Sequence, residues 1–160
     1  MEVETDIEHW PAGNWEGLAQ RAAGAAATGE PMLSNVRLSA SVLFTCDEEV
    51  HSLNRKWRER DKPTNVLSFP MLARDELQWL APVGPPVLLG DIALAFETCA
   101  AEASAKGIDL VDHASHLLVH GFMHLAGYDH QDDDSAAVME RLETQVLAKL
   151  GIADPYSIVE

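Results

Sequence analysis

The chain has 160 residues, which is the size of one domain able to bury its own hydrophobic core. Its formal net charge of −15 predicts that the surface as a whole repels nucleic acids and anionic membranes. No apolar run approaches the roughly 20 residues of a membrane-spanning helix, and the acidic N-terminus lacks the apolar stretch of a signal peptide. We therefore expect a single cytoplasmic domain over residues 1–160 that does not contact a membrane.

The first half of the chain predicts strands alternating with helices. Residues 3–7 and 36–44 alternate apolar with polar side chains, as half-buried strands do. The Ala-rich residues 15–27 predict a helix. Asp47 is placed to cap a second helix, which residues 61–63 end. The residues spaced for one face of this helix are Val50, Leu53, Asn54 and Trp57.

The second half predicts two more strands and three helices. Residues 66–69 and 88–96 are apolar and predict strands, whereas residues 71–86 contain Gly84 and three prolines and predict a loop. Helices are predicted over residues 97–106, from Asp109 to Ala126, and from residues 132–134 onward. The last helix is amphipathic, with Val138, Leu142, Val146 and Leu150 on its apolar side. Because the strands lie in the first 96 residues and helices follow, the fold class is α+β.

Three histidines near the end of the fourth predicted helix form a metal-ligand pattern. His120 and His124 are four residues apart on a helix, so their rings point the same way, about 5.4 Å apart along the axis. Gly127 permits a left-handed residue that turns the chain back, so that His130 can reach the same ion. Three imidazoles with a position left for water are typical of catalytic zinc, so we expect one Zn²⁺.

Two further histidines precede this pattern. His116 lies on the same stripe, but a straight helix separates it from His124 by about 12 Å, too far for both to hold one ion. The sequence leaves three roles open for His116: a residue behind the metal ligands, a substrate contact, or a hydrogen-bonded core residue. His113 is expected to be an ordinary core residue. Cys46 and Cys99 lack ligand-like spacing and are expected to be reduced thiols.

The histidine spacing equals that of the metzincin peptidases, H-E-x-x-H-x-x-G-x-x-H. The glutamate that serves those enzymes as general base is replaced here by Gly121, and the pattern offers no other proton acceptor than Asp129. A helical glycine also predicts open space beside the ion for a bulky substrate. Hydrolysis of a bond other than a peptide bond is therefore the first interpretation, and a zinc peptidase is the second.

The positive charges are concentrated in one short segment. Five of the eleven lysines and arginines lie within eight residues: Arg55, Lys56, Arg58, Arg60 and Lys62. Cations suit a helix C-terminus, so a solvated helix end explains them. An equally good interpretation is a basic strip that binds an anion, while the acidic remainder weakens non-specific binding.

Four sequence blocks resemble the YbeY family, the bacterial rRNA maturation factors that act as single-strand-specific, metal-dependent endoribonucleases. The blocks are HGFMHLAGYDH from His120, DKPTNVLSFP from Asp61, LGDI from Leu89 and DPY from Asp154. They occur in the family's order and span roughly residues 50 to 156. The resemblance implies a small mixed sheet of about four strands packed against several helices, with the zinc held by His120, His124 and His130 at a helix C-terminus.

The resemblance also implies the reaction. Arg58 stands where the family has an arginine important for activity, just before the D-x-P-T block. The implied function is maturation of the 3′ end of small-subunit rRNA and quality control of ribosomes, in association with a small-subunit ribosomal protein and an assembly GTPase.

From these inferences we expect Arg58 to hold the phosphate of single-stranded RNA. We expect Arg55, Lys56, Arg60 and Lys62 to contact RNA. Three roles stay open for Asp129: it orients a ligand imidazole, it accepts a proton, or it only caps a helix end. The attacking group, hydroxide or the RNA's own 2′-hydroxyl, stays open. A ribosome-assembly binding factor with a structural metal is the other alternative, since the acidic surface favours basic ribosomal proteins.

Overall fold

The computed structural model describes residues 1–60, 64–129 and 131–156. Within them one four-stranded sheet has the order β1-β2-β4-β3. β2 pairs in parallel with both β1 and β4, whereas β3 runs antiparallel to β4. The strands are β1 Glu2–Ile7, β2 Leu38–Thr45, β3 Val66–Pro70 and β4 Val87–Ala95. The predicted α+β class with a small mixed sheet is confirmed.

Helices cover one face of this sheet and part of the other. They are α1 Trp15–Gly29, α2 Asp47–Arg58, α3 Arg74–Gln78, α4 Phe96–Lys106, α5 Leu110–Leu125 and α6 Asp133–Lys149, with a 3-10 turn at Pro31–Ser34. Alternate residues of β4 face opposite sides: Ile92 and Leu94 join the main core with α1 and α5, while Ala93 and Ala95 pack with Val50 of α2. No helix in the described part of the chain is long and apolar enough to cross a membrane.

Three local expectations are corrected. The segment predicted as a loop contains α3, whose first turn is closed by Glu76 accepting a hydrogen bond from the Ala73 amide. Asp47 does not cap α2, because its carboxylate accepts hydrogen bonds from the amide and hydroxyl of Thr98 on α4. α2 ends at Arg58 because Glu59 is left-handed, with φ 55°. The predicted stop at residues 61–63 lies outside the described residues.

The two cysteines form no disulfide with each other. Cys99 is fully buried on α4, and Cys46 is half-buried at the start of α2. Burial raises the pKa of the Cys99 thiol to about 12, and the nearby charges of Glu102 and Asp47 act in the same direction. Cys99 is therefore an unreactive core residue, as expected.

Gly90 lets three elements approach one another closely. β4 carries one extra residue, Leu89, in its pairing with β2, and Gly90 follows it with φ +157°. A Cβ at this position would lie 2.5 Å from the carbonyl oxygen of Phe69 and 2.6 Å from Leu125 Cδ2. Neighbouring β3 and the C-terminal turn of α5 thus occupy the space that any side chain would need.

We expect Gly90→Ala to lower the free energy of unfolding by about 3 kcal/mol, because a backbone carbonyl cannot move away without distorting the sheet. The control is Gly24→Ala on the exposed side of α1, where nothing lies within 4 Å. The control should raise the stability by up to about 1 kcal/mol through helix propensity. Urea unfolding followed by circular dichroism measures both, and equal effects of the two substitutions would contradict the close approach at Gly90.

Candidate metal centre and substrate cleft

The last turns of α5 bring two imidazoles together. The Nε2 atoms of His120 and His124 lie 3.0 Å apart, and the ring centroids are separated by 4.5 Å. Both side chains are half-buried and line an open cleft of about 710 Å³. The sequence interval of four residues predicts this proximity, since successive turns of a helix place such residues on one face.

A buried carboxylate holds the first of these rings from behind. Glu143 of α6 is fully buried, and its Oε1 lies 2.8 Å from Nδ1 of His120. The hydroxyl of Tyr156 donates to the same carboxylate at 3.2 Å, and Nε2 of His116 lies 3.4 Å from Oε1. Burial alone would raise the pKa of Glu143, but the hydrogen bonds and charges of His116 and His120 lower it to about 2. Glu143 is therefore ionised at neutral pH.

These contacts suit a transition-metal ion. An Nδ1–H that donates to a carboxylate fixes the tautomer of His120 and leaves Nε2 without a proton, so that its lone pair can bind a metal; this is the usual arrangement behind a metal-bound histidine. Two nitrogen atoms bound to one tetrahedral zinc lie about 3.3 Å apart. The observed distance of 3.0 Å between the two Nε2 atoms is close to this value. His120 and His124 could thus hold an ion as the pattern predicts. His130 lies outside the described residues, so its part stays a prediction.

The turn after α5 forms one edge of the cleft. Gly127 has φ +96°, the left-handed conformation predicted for it, and follows the last helical residue Leu125 and its cap Ala126. Asp129 lies beyond the turn and lines the cleft with Tyr128. Asp129 thus lines the same cleft as the histidine pair, and its role stays a prediction.

Arg58, at the end of α2, also lines this cleft. Its Nη1 donates to the carbonyl of Ser68 on β3 at 3.0 Å, which holds the guanidinium at the cleft that His120 and His124 also line. Arg60 lines the same cleft, whereas Arg55 and Lys56 are exposed and are not among its lining residues. Lys62 lies outside the described residues. The structure therefore separates the basic strip into two cleft residues and two on the outer surface of α2.

The other α5 histidines lie deeper in the molecule. Nε2 of His116 is 3.0 Å from the Tyr156 hydroxyl, so the ring faces the carboxylate network behind His120. Nε2 of His113 lies 2.8 Å from Glu102 of α4, which also accepts a hydrogen bond from Asn65 at the cleft wall. His116 is thus a buried residue that contacts the carboxylate behind His120, and its role toward a metal stays a prediction, whereas His113 is a core residue.

One expectation about side-chain faces was wrong and a second is corrected in part. Gly121 does not leave open space, because a Cβ there would lie 2.9 Å from Ile92 Cδ1, so glycine lets α5 pack on β4. Of the four residues predicted on the apolar side of α6, Val146 is buried and Leu142 and Leu150 pack half-buried against the core, whereas Val138 is 49% exposed. The buried side also contains Met139, Leu147 and Glu143, and Glu143 was not among the predicted site residues. The available signal was a glutamate at helical spacing from Met139 and Val146.

The fold and the cleft define an α+β domain in which two adjacent helical histidines, backed by a buried carboxylate, share a cleft with an arginine at the end of α2. The sequence profile described as "Endoribonuclease YbeY" matches residues 2–151, and the chain belongs to this family. The resemblance inferred from the four sequence blocks is confirmed.

Curated relatives agree with this assignment, and a solved structure shares the fold. Over 157 residues the chain is 64% identical to the protein named Endoribonuclease YbeY from Erythrobacter litoralis, covering 98% of each. It is 50% identical over 160 residues to the one from Novosphingobium aromaticivorans, covering 99% of this chain and 96% of that protein. A Thermotoga maritima protein solved in solution shares the fold, with a TM-score of 0.57 at 18% identity, over 98% of this chain and 99% of that one.

We expect Glu143→Gln to lower the free energy of unfolding of the metal-free protein by about 2 kcal/mol at pH 7, because the hydrogen bonds to a buried charge are replaced by weaker neutral ones. Glu140→Gln, the same substitution at an exposed position of α6, should change it by less than about 0.5 kcal/mol. Urea denaturation in the presence of a chelator measures the difference. Equal values for the two variants would show that the carboxylate network contributes nothing to stability.

Proposed function

We propose that this chain is a zinc-dependent endoribonuclease that cleaves single-stranded RNA in the cleft between α5 and β3. The observation that carries the proposal is that Arg58 and the His120–His124 pair line one cleft of about 710 Å³. It is supported by relatives named Endoribonuclease YbeY at up to 64% identity. In the cell the substrate is rRNA, and the reaction matures the 3′ end of the small-subunit RNA and removes defective ribosomes.

Arg58 binds the scissile phosphate. A guanidinium has five N–H donors in a planar fork, and the bond from Nη1 to Ser68 uses one of them, which leaves the others for phosphate oxygens. Because this bond fixes the group before substrate arrives, little reorganisation is needed as negative charge grows on the phosphate. Arg60, on the same cleft, contacts the flanking backbone of the RNA. Arg55, Lys56 and Lys62 add weaker contacts outside it.

The metal ligands are His120, His124 and His130, at the C-terminal end of α5. A zinc ion held there would lower the pKa of a coordinated water toward neutrality and act as a Lewis acid toward the phosphate. Glu143 keeps the ring of His120 in the tautomer that presents Nε2. His116 and Tyr156 hold Glu143 in turn, and Asp129 at the cleft edge accepts a proton or orients the attacking group.

The charge distribution supports a narrow RNA contact and protein partners. Because the net charge is −15 and five of the eleven lysines and arginines lie within residues 55–62, we expect RNA to be attracted mainly to this segment and non-specific binding to be weak. The acidic remainder is complementary to basic proteins. We therefore propose that the protein acts in the cytoplasm on the small ribosomal subunit, with a small-subunit ribosomal protein and an assembly GTPase as partners.

We expect Arg58→Ala to slow single-turnover cleavage of a labelled single-stranded RNA about 100-fold, because it removes the phosphate contact made in the transition state. Metal content and circular dichroism should stay unchanged. The matched control is Arg21→Ala on the exposed side of α1, which should cleave at the wild-type rate. Cleavage by Arg58→Ala at that same rate would rule out its role, and wild-type protein inactive on RNA with metal loaded would instead favour an assembly factor.

We expect purified protein to contain about one zinc per chain and His124→Ala or His130→Ala to lose it, since two imidazoles hold the ion weakly. The control is His9→Asn, because His9 is exposed and has φ 62°, which asparagine tolerates. Elemental analysis after dialysis against a weak chelator measures the stoichiometry. Retention of zinc by both variants would place the metal elsewhere.

A further inference from the structure

Two backbone hydrogen bonds tie the turn at residues 126–129 to the helix before it. The amide of Gly127 donates to His124 at 2.9 Å and the amide of Tyr128 donates to Met123 at 3.0 Å. Both bonds return to the last turn of α5. They close the helix, but they do not fix the direction in which the chain leaves it toward Asp129.

Arg74 of α3 contacts this turn in three ways. Its Nη1 donates to the carbonyl of Ala126 at 3.0 Å. Its guanidinium carbon lies 4.6 Å from the centroid of the Tyr128 ring, within the range of a cation–π contact. Its aliphatic stem occupies the side of Gly127 where a side chain would stand, because a Cβ built there would lie 2.7 Å from Arg74 Cβ.

Glu30, between α1 and the 3-10 turn, completes the arrangement. It is only 8% exposed, and its Oε2 accepts a hydrogen bond of 2.5 Å from the Tyr128 hydroxyl. The same oxygen lies 3.8 Å from Nη2 of Arg74, and Oε1 accepts from the Met32 amide at 3.3 Å.

We propose that Glu30, Arg74 and Tyr128 form a clamp that holds the turn at residues 126–129 in the orientation the metal site needs, with Arg74 as a positioning residue. His124 lies two residues before the turn and His130 directly after it, so a rotation of the turn changes the direction between the ligands on its two sides. The proposal rests on the proposed metal-dependent function. It assigns a role to α3, a helix inside the segment that connects β3 to β4.

Arginine suits this position better than lysine would. Its planar group can donate to the Ala126 carbonyl, lie over the Tyr128 ring and face the Glu30 carboxylate at the same time. The side chain of Arg74 is 45% exposed, so its removal leaves no cavity in the core. Variants at this position should therefore fold, and their effect should appear in the turn.

The test is a zinc competition titration with a chromophoric chelator on wild type, Arg74→Ala, Tyr128→Phe and the double variant. We expect Arg74→Ala to weaken zinc affinity about tenfold, as loss of a residue that orients a ligand does. Tyr128→Phe keeps the ring and loses only the bond to Glu30, so a smaller loss is expected. Because both residues act through one clamp, the double variant should lose no more than Arg74→Ala, whereas additive losses would contradict a shared clamp.

Arg37→Ala is the matched control. Arg37 also pins the segment between β3 and β4, through hydrogen bonds to the carbonyls of Ala81 and Pro85, and these bonds are remote from the turn. It should keep wild-type zinc affinity, and the visible spectrum of its cobalt(II) form should match wild type, whereas that of Arg74→Ala should change. Equal affinities for Arg74→Ala and wild type, or equal losses for Arg74→Ala and Arg37→Ala, would overturn the proposal.

A second measurement separates failure of the clamp from failure of the proposed function. In metal-free protein, hydrogen exchange at the amides of Gly127 and Tyr128 should become about tenfold faster in Arg74→Ala and stay unchanged in Arg37→Ala. If wild type binds no zinc but this difference appears, the metal function is wrong and the clamp stands. If wild type binds zinc and cleaves RNA while the exchange rates are equal in both variants, the clamp is wrong.

Discussion

The contact between Nδ1 of His120 and the carboxylate of Glu143 is the interaction on which the site depends. It joins α5 to α6 in the interior, where a charged carboxylate is stable only with its hydrogen bonds made. His116 and Tyr156 supply the remaining partners, so the last helix and the DPY segment are tied to the same point. The buried carboxylate therefore fixes the position of the His120 ring, as a metal site requires.

The cleft joins segments that are distant in the chain. Arg58 at the end of α2 is held by β3, the histidine pair comes from α5, and the two walls meet because α5 packs on β3 and β4. Gly90 and Gly121 permit that close packing, since a side chain at either position would meet a neighbouring element. A phosphate that bridges the walls would contact a fixed cation on one side and the histidine pair on the other.

The resemblance and the residue patterns predicted much of this architecture. Local periodicity, which neighbouring residues alone determine, predicts the strands and five of the helices. It also predicts the proximity of His120 and His124. The helix α3 was missed because Pro82, Gly84 and the other prolines around it suggested a loop. Asp47 was assigned to a cap because its competing partner, Thr98, lies 51 residues away and leaves no mark in the local sequence.

By itself, the sequence determined the family, the α+β class and the candidate ligands, because these depend on residue types at short, fixed spacing. Only the tertiary structure decided that the buried face of α6 includes Glu143. This burial is what lets Glu143 support His120. It also decided that Arg60, and not Arg55, lines the cleft with Arg58, and that Gly121 serves packing on Ile92. The physical reason is the same in each case: a side chain's partner across the core is set by the packing of elements far apart in sequence.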